Sequence, residues 1–372
     1  MTRAEAAGIR LPALPDGLDT PALVVFVERV RANVERLQRE LDGRGIRLRP
    51  HVKTHKSVRL ARLQLEAGAR GITVGTIGEA ETFVAAGIGD VLIAYPVWAW
   101  GAKAPRIRAL HEAAPELRIG VDSVAGAERL AAVVRGSARP LRVLVELDSG
   151  HHRTGVAGAE AALAVARAAR VAGLDVEGVF THGGHGYRPD EREQAAADEV
   201  AALVHAGAAL EADGFEVRTR SAGSTPTMVL AASPGVTEIR AGTYALGDRQ
   251  QLSLGAIAPD GIACVVAATV VSAATDRLVI DAGAKALTKD RADQLVGFGL
   301  LPGYPDLVIK RLSDYHGVVV GPAGAERPAL GEVVAVVPNH ICPVVDLCDA
   351  FVAVLGDGSI ESWTVDARGR SG

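Results

Sequence analysis

Cysteine is scarce in this chain of 372 residues, with only Cys264, Cys342 and Cys348. So sparse and odd a set excludes a disulfide-stapled fold and leads us to expect the cytoplasm. Aromatic residues make up only 4% of the chain. No apolar run approaches the roughly 18 residues of a membrane span. The opening residues Met1–Ala6 lack the apolar stretch of a secretory leader. The formal net charge is −4 with no basic run, which argues against a nucleic-acid partner. No early strand is followed by Gly-x-Gly-x-x-Gly, which weighs against a doubly wound dinucleotide-binding sheet. Internal repeats and low-complexity segments are missing too. Arginine far outnumbers lysine, so each lysine stands out.

What is present is a globular composition, 48% hydrophobic and 23% charged, in a length that suits one large domain and a smaller one. Short β-branched runs alternate with helical patterns. Strands are expected at 22–26, 46–50, 71–74, 90–95, 117–121, 141–147, 176–181, 217–222 and 237–240. The stretch Glu28–Leu41 places Val30, Val34, Leu37 and Leu41 on one helical face, and an alanine-rich helix is expected at 191–213. Eight of the nine strands, from residue 46 on, read as a parallel (β/α)8 TIM-like barrel. Beyond about Leu254 helical periodicity fades, and β-branched runs bounded by turns point to a C-terminal all-β domain. We expect a barrel domain at 23–250 and a β domain at 251–372, the latter joined by the leftover N-terminal strand at 18–26.

The segment Arg49-Pro50-His51-Val52-Lys53-Thr54-His55-Lys56 lies where a strand ends and a helix begins. A lysine held there and partly desolvated offers a free amine as nucleophile or base. Polar residues gather at the ends of later strands: Tyr95, then Glu146, Asp148, His151, His152 and Arg153, then His182, His185 and Tyr187. In a barrel, all of these converge on one mouth. Ser221-Ala222-Gly223-Ser224-Thr225-Pro226 and Arg240-Ala241-Gly242-Thr243-Tyr244 read as a phosphate grip, with small residues for close backbone approach and Ser/Thr hydroxyls as donors. A phosphate grip together with a strand-end lysine suggests pyridoxal phosphate, whose aldehyde condenses with an amine.

A second constellation is Pro338-Asn339-His340-Ile341-Cys342-Pro343. Read as an extended strand, it puts His340 and Cys342 on one face, where imidazole and thiolate suit zinc. Asp314 and His316 share a strand face by the same reasoning. Cys264 and Cys348 read as small core hydrophobes.

These motifs together resemble the D-serine dehydratase / D-threonine aldolase family of fold-type III pyridoxal-phosphate enzymes, relatives of alanine racemase. Asp148-Ser149-Gly150-His151-His152-Arg153, Thr181-His182-Gly183-Gly184-His185 and Asp281-Ala282-Gly283-Ala284-Lys285 add to the likeness, which spans about Leu18 to Val365. The resemblance implies that Lys53, rather than Lys56, carries the cofactor, with Arg153 and His182 as further catalytic residues. It implies a cofactor pocket of Lys53, Arg153, His182, Tyr187, Ser224, Thr225, Gly242, Thr243 and Tyr244. It also implies a metal, zinc or another divalent cation such as manganese, on His340 and Cys342, and a homodimer acting on a small D-amino acid. Dehydration of a β-hydroxy-D-amino acid such as D-serine to a keto acid and ammonia is the expected reaction, because His-x-Cys marks the dehydratases and His-x-Asp the better-known aldolases. Retro-aldol cleavage to glycine and an aldehyde stays open. A non-catalytic carrier of the cofactor is the alternative of another class.

Overall fold

β-branched runs punctuated by glycine and by polar helix caps lay down the barrel. In the computed structural model, which describes residues 8–372, its strands are β2 (Arg47–Leu48), β3 (Ile72–Val74), β4 (Asp90–Pro96), β5 (Glu116–Val121), β6 (Arg142–Leu147), β7 (Asp175–Thr181), β8 (Thr219–Ala222) and β9 (Glu238–Ile239). The segment Met1–Ala6, read above for a leader, lies outside the described residues. The strands are all parallel and run in the order β2-β9-β8-β7-β6-β5-β4-β3. A parallel bridge between His51 and Thr73 closes the ring, with Thr73 N donating to Pro50 O at 2.8 Å. This is the (β/α)8 barrel expected from the sequence.

Helices follow the strands, and their starts are chemically marked. Thr76 accepts from Glu79 N at 3.0 Å to cap Ile77–Ala85. Ser123 accepts from Gly126 N at 3.2 Å to cap Val124–Val134. The first helix, Val27–Asp42, buries Val30, Val34, Leu37 and Leu41, the four residues of its periodic face. Gly178 in β7 has φ +153, and a Cβ there would sit 1.9 Å from Thr219 O. Only glycine lets β7 and β8 come together at that point.

One layer inside the ring is ionic rather than apolar. Arg49 Nε meets Glu238 Oε2 at 2.8 Å, and its Nη1 meets Asp90 Oδ1 at 2.5 Å. Arg118 shares Asp90 Oδ1 at 2.8 Å and reaches Glu177 at 2.8 Å. Leu92, Leu144 and Phe180 form an apolar cluster on the same strands.

The β-rich part comprises β10 (Cys264–Ala273), β11 (Leu278–Ile280), β12 (Val308–Leu312), β13 (Gly317–Val320), β14 (Val333–Val336), β15 (Ala350–Val354) and β16 (Ile360–Thr364). With the N-terminal strand β1 (Ala22–Phe26) they run β12-β13-β11-β10-β1-β15-β16, and β14 pairs with β10. β1 pairs antiparallel with β10 and parallel with β15, for example Ala22 with Ala267 and Val24 with Val352. By contacts the chain forms two units. One holds the residues up to Glu35, Thr54–Arg59 and Thr243–Arg368; the other holds Arg36–Lys53, Leu60–Gly242 and Gly369–Gly372.

Two local readings need correction. Asp314 and His316 do not share a strand face. They lie in the turn between β12 and β13, which Ser313 N closes on His316 O at 2.9 Å. His340 and Cys342 are not on a strand either. Pro338-Asn339 breaks the extended run after β14, His340 becomes the N-cap, and Ile341–Asp346 is a short helix with Cys342 in its first turn.

Candidate active site

Lys53 sits in a one-turn 3-10 helix, Val52–Thr54, directly after the bridge residue His51. Its side chain is exposed. Lys56 has another fate. It adopts φ +50 and is buried, with Nζ 2.6 Å from Asp346 Oδ1. Of the two lysines in the motif, Lys53 is the exposed one and Lys56 the buried one.

Around Lys53 the barrel unit gathers positive charge. His51 and His182 are held well below the ordinary imidazole range, first by burial and then by the charge of Lys53, with Arg240 and Arg153 adding to it. Both rings are therefore neutral at physiological pH. The ring of His151 meets that of His182 edge-on at 5.6 Å, and the ring of Tyr187 lies 6.3 Å from it. The barrel thus brings together Lys53, Arg153, His182 and Tyr187, four of the residues expected from the sequence.

Arg240 is fixed by its surroundings. Nη1 donates to Ser221 Oγ at 2.6 Å, Nη2 donates to Thr181 O, and the guanidinium lies 5.2 Å from the centre of the Phe180 ring. Glu146, at the end of β6, is buried, and Oε1 accepts from Thr154 Oγ1 at 2.8 Å while Oε2 has no partner. Burial pushes this carboxyl up to about 7 against the Thr154 bond and the Arg153 charge.

The loops after β7 and β8 are stitched together from behind. Glu199, buried on helix Arg192–Ala212, accepts from Gly183 N at 2.8 Å and Gly223 N at 2.9 Å through one oxygen. A Cβ at Gly183 would lie 2.6 Å from that carboxylate. Ser224 N is likewise committed, to Thr227 Oγ1 at 3.1 Å. Ser224 and Thr225 are buried in this loop, and Thr243 and Tyr244 open the 3-10 turn that follows Gly242.

In the β-rich unit His340 and Cys342 meet. Burial alone would pull the His340 ring down, but its hydrogen bond to Cys342 and the charges of Cys342 and Asp248 push it up to about 10. His340 Nδ1 lies 2.5 Å from Asp290 Oδ2. Asp248 accepts from Ile341 N, between the two ligand candidates, at 3.1 Å. Cys342 Sγ approaches Thr54 Oγ1 at 3.4 Å and Thr243 Oγ1 at 3.9 Å.

Residues 25–250 match the family model described as alanine racemase, N-terminal domain, and residues 263–354 match a putative serine dehydratase domain. The D-threo-3-hydroxyaspartate dehydratase of Delftia sp. (strain HT23) is 37% identical, covering 93% of this chain and 97% of that protein. The chain belongs to the D-serine dehydratase / D-threonine aldolase family. A D-threonine aldolase of Arthrobacter sp is 34% identical over 95% of this chain and 94% of its own length. The solved Delftia dehydratase superposes with a TM-score of 0.87 at 36% identity, covering 94% of this chain and 97% of that one. That enzyme has also been solved as a cysteine-to-alanine variant in the metal-free form and as a histidine-to-alanine variant, the histidine standing two residues before the cysteine. The chain is a lyase of a pyridoxal-phosphate-dependent family.

The residues suit the groups this family uses. Lys53, Arg153 and Arg240 all act on His51 and His182, and three cations together are a receptive setting for an anionic cofactor and an amino-acid carboxylate. Imidazole and thiolate are the donors of a zinc site. With two protein donors, an ion bound there would have positions open for water or substrate; among the described residues no cluster of three or more His, Cys, Asp or Glu side chains gathers. No described helix is long and apolar enough to cross a membrane.

Sequence reasoning missed His51, Arg240, Asp248 and Asp290 as site residues. His51 stands in the lysine motif itself, and Arg240 directly follows β9 and opens the segment read as a phosphate grip, so position alone was a usable signal for both. Asp248 and Asp290 precede His340 by 92 and 50 residues, and no spacing rule reaches them.

Proposed function

We propose that this protein eliminates water from a β-hydroxy-D-amino acid to give an enamine that water then hydrolyses to a keto acid and ammonia, with pyridoxal phosphate on Lys53 and a divalent cation, zinc in the first instance, on His340 and Cys342. The observation that carries this reading is the imidazole–thiolate pair itself, touching and backed by Asp290. Its spacing is that of the histidine and cysteine altered in the Delftia dehydratase structures. Thr54, the residue after Lys53, is the hydroxyl neighbour of Cys342.

Pyridoxal phosphate, when bound, supplies an electron sink for the pair left behind by the α-proton. A cation on His340 and Cys342 supplies Lewis acidity toward a hydroxyl. The rest is the work of this chain. Lys53 Nζ is the amine that takes the α-proton. His51 and His182, kept neutral near Lys53, can donate or accept a hydrogen bond without carrying charge themselves. Arg153 and the fixed Arg240 draw the anionic groups inward. The hydroxyls of Ser224, Thr225, Thr243 and Tyr244, with Gly242, form the phosphate grip. The barrel at 23–250 then serves as the cofactor domain and 251–372 as the metal domain, with Tyr187 lining the pocket through His182.

Aldol cleavage to glycine and an aldehyde is the second reading, because the Arthrobacter aldolase is nearly as similar. The test offers D-serine, D-threonine and D-threo-3-hydroxyaspartate to purified protein and assays keto acid and aldehyde separately. Keto acid with ammonia is the expected result. Aldehyde without keto acid overturns the dehydratase reading, and no turnover of any of the three favours a carrier. The same preparation, run on size exclusion with light scattering, is expected to behave as a homodimer.

A further inference from the structure

We propose that Asp290 is the positioning residue of the metal pair, holding the His340 imidazole by Nδ1 so that Nε2 is the nitrogen presented to an ion beside Cys342 Sγ. The inference rests on the reading of His340 and Cys342 as metal ligands.

The segment around His340 is held at several points, and each fixes something different. Asp248 takes the amide of Ile341 at 3.1 Å and so fixes the backbone between the two ligands. Asn339 donates to Gly297 O at 2.9 Å, and Arg249 reaches Asn339 Oδ1 at 3.3 Å, which fixes the approach to His340. Neither contact reaches the imidazole. The ring itself is held on one side by its hydrogen bond to Cys342 and on the other by the 2.5 Å contact from Nδ1 to Asp290 Oδ2, and the latter selects the tautomer protonated on Nδ1. A ring that donates through Nδ1 carries its lone pair on Nε2. A histidine ligand backed by a carboxylate in this way is both oriented and made more basic.

Asp290 is itself placed with care. Its amide donates to Thr288 Oγ1 at 3.2 Å. Thr288 follows helix Ala284–Leu287 with φ +61 and ψ 170, a conformation that a β-branched residue adopts only under constraint. The turn spends conformational energy to bring an acidic side chain to His340 from 50 residues away. A plain surface ion pair would have no need of that turn, and it would leave metal affinity untouched.

Zinc affinity of the full chain with its cofactor bound, measured by competition with a chromophoric chelator, tests the proposal. Wild type is compared with Asp290→Ala, Asp290→Asn and Cys342→Ala. Asp290→Ala is expected to bind zinc about 10–100-fold more weakly. Asp290→Asn, whose side-chain oxygen still accepts from Nδ1–H, is expected to recover most of that loss. Equal zinc affinity in wild type and Asp290→Ala, with Cys342→Ala losing zinc, overturns the role of Asp290 and spares the metal pair. Undiminished zinc in Cys342→Ala instead overturns the metal reading itself. Melting curves of the metal-stripped proteins should coincide, which separates loss of a ligand's support from loss of fold.

Discussion

Lys56 Nζ and Asp346 Oδ1 lie 2.6 Å apart, and this ion pair divides the two lysines of the basic turn between structure and chemistry. Asp346 ends the short helix that carries Cys342, so the pair pins that helix to the segment Thr54–Arg59. Borohydride reduction of the holoprotein is expected to leave cofactor covalently on wild type and Lys56→Ala, and none on Lys53→Ala. Lys56→Ala should instead lose about 2 kcal/mol of stability, because a half-buried carboxylate is left unpaired. Label surviving in Lys53→Ala would sink the assignment.

The ionic layer in the barrel makes a second, purely structural prediction. Arg49 is 2% exposed and serves Asp90 and Glu238 at once. Replacing it by methionine keeps the volume but takes the cation from Glu238 and leaves Asp90 to Arg118 alone, at a cost of about 3–5 kcal/mol. Lysine should not rescue it, since one ammonium cannot span the two carboxylates as the guanidinium fork does. Urea unfolding midpoints of Arg49→Met and Arg49→Lys check this, and a wild-type midpoint in either variant refutes it.

These examples show what a linear reading can and cannot reach. The barrel was legible because each strand is a local run with a local turn, and β4 starts where the pattern says. The lysine motif was legible because strand end and helix start are adjacent in the chain. By contrast, Lys310 and Arg311 interrupt the apolar residues of β12, and Glu361 and Ser362 those of β16, so no alternation announces these strands. The His-x-Cys pair was found, but on the wrong element, because a proline-flanked tripeptide reads equally as strand or helix start. Charges facing a barrel interior look like surface charges until Arg49 and Glu238, 189 residues apart, are seen together.

Glu199 offers a third prediction. One of its oxygens accepts both Gly183 N and Gly223 N, and the carboxyl is raised by burial. What the two amides need is the accepting oxygen. Glu199→Gln, which keeps the accepting oxygen, should change stability by less than about 1 kcal/mol, whereas Glu199→Ala orphans two buried amides and should cost about 2–4 kcal/mol. Because the two loops carry His182 and Ser224, Glu199→Ala should also weaken binding of pyridoxal phosphate, read from the absorbance titration. Equal behaviour of the two variants would show that the charge, not the acceptor, is what matters.

Glu146 makes the stability of the protein depend on pH in a definite direction. Its carboxyl rises from the ordinary 4.5 to about 7 in the folded chain. Between those values the folded state binds more protons at this position than the unfolded state, so stability falls as pH rises from 4.5 to 7 and is level beyond. A shift of this size corresponds to about 3 kcal/mol at most. The benefit is fully present below pH 4.5 and gone above 7. Glu146→Gln cannot ionise, so its unfolding free energy should lack this downward slope. Relative to wild type, the variant should gain stability from pH 5 to about pH 7 and keep that gain, without adding to it, at pH 8. Urea titrations of both proteins at pH 5, 6, 7 and 8 give the difference directly, with other titrating groups cancelling. Parallel curves across that range would mean that the Glu146 side chain is ionised throughout and that its unpartnered oxygen is solvated after all.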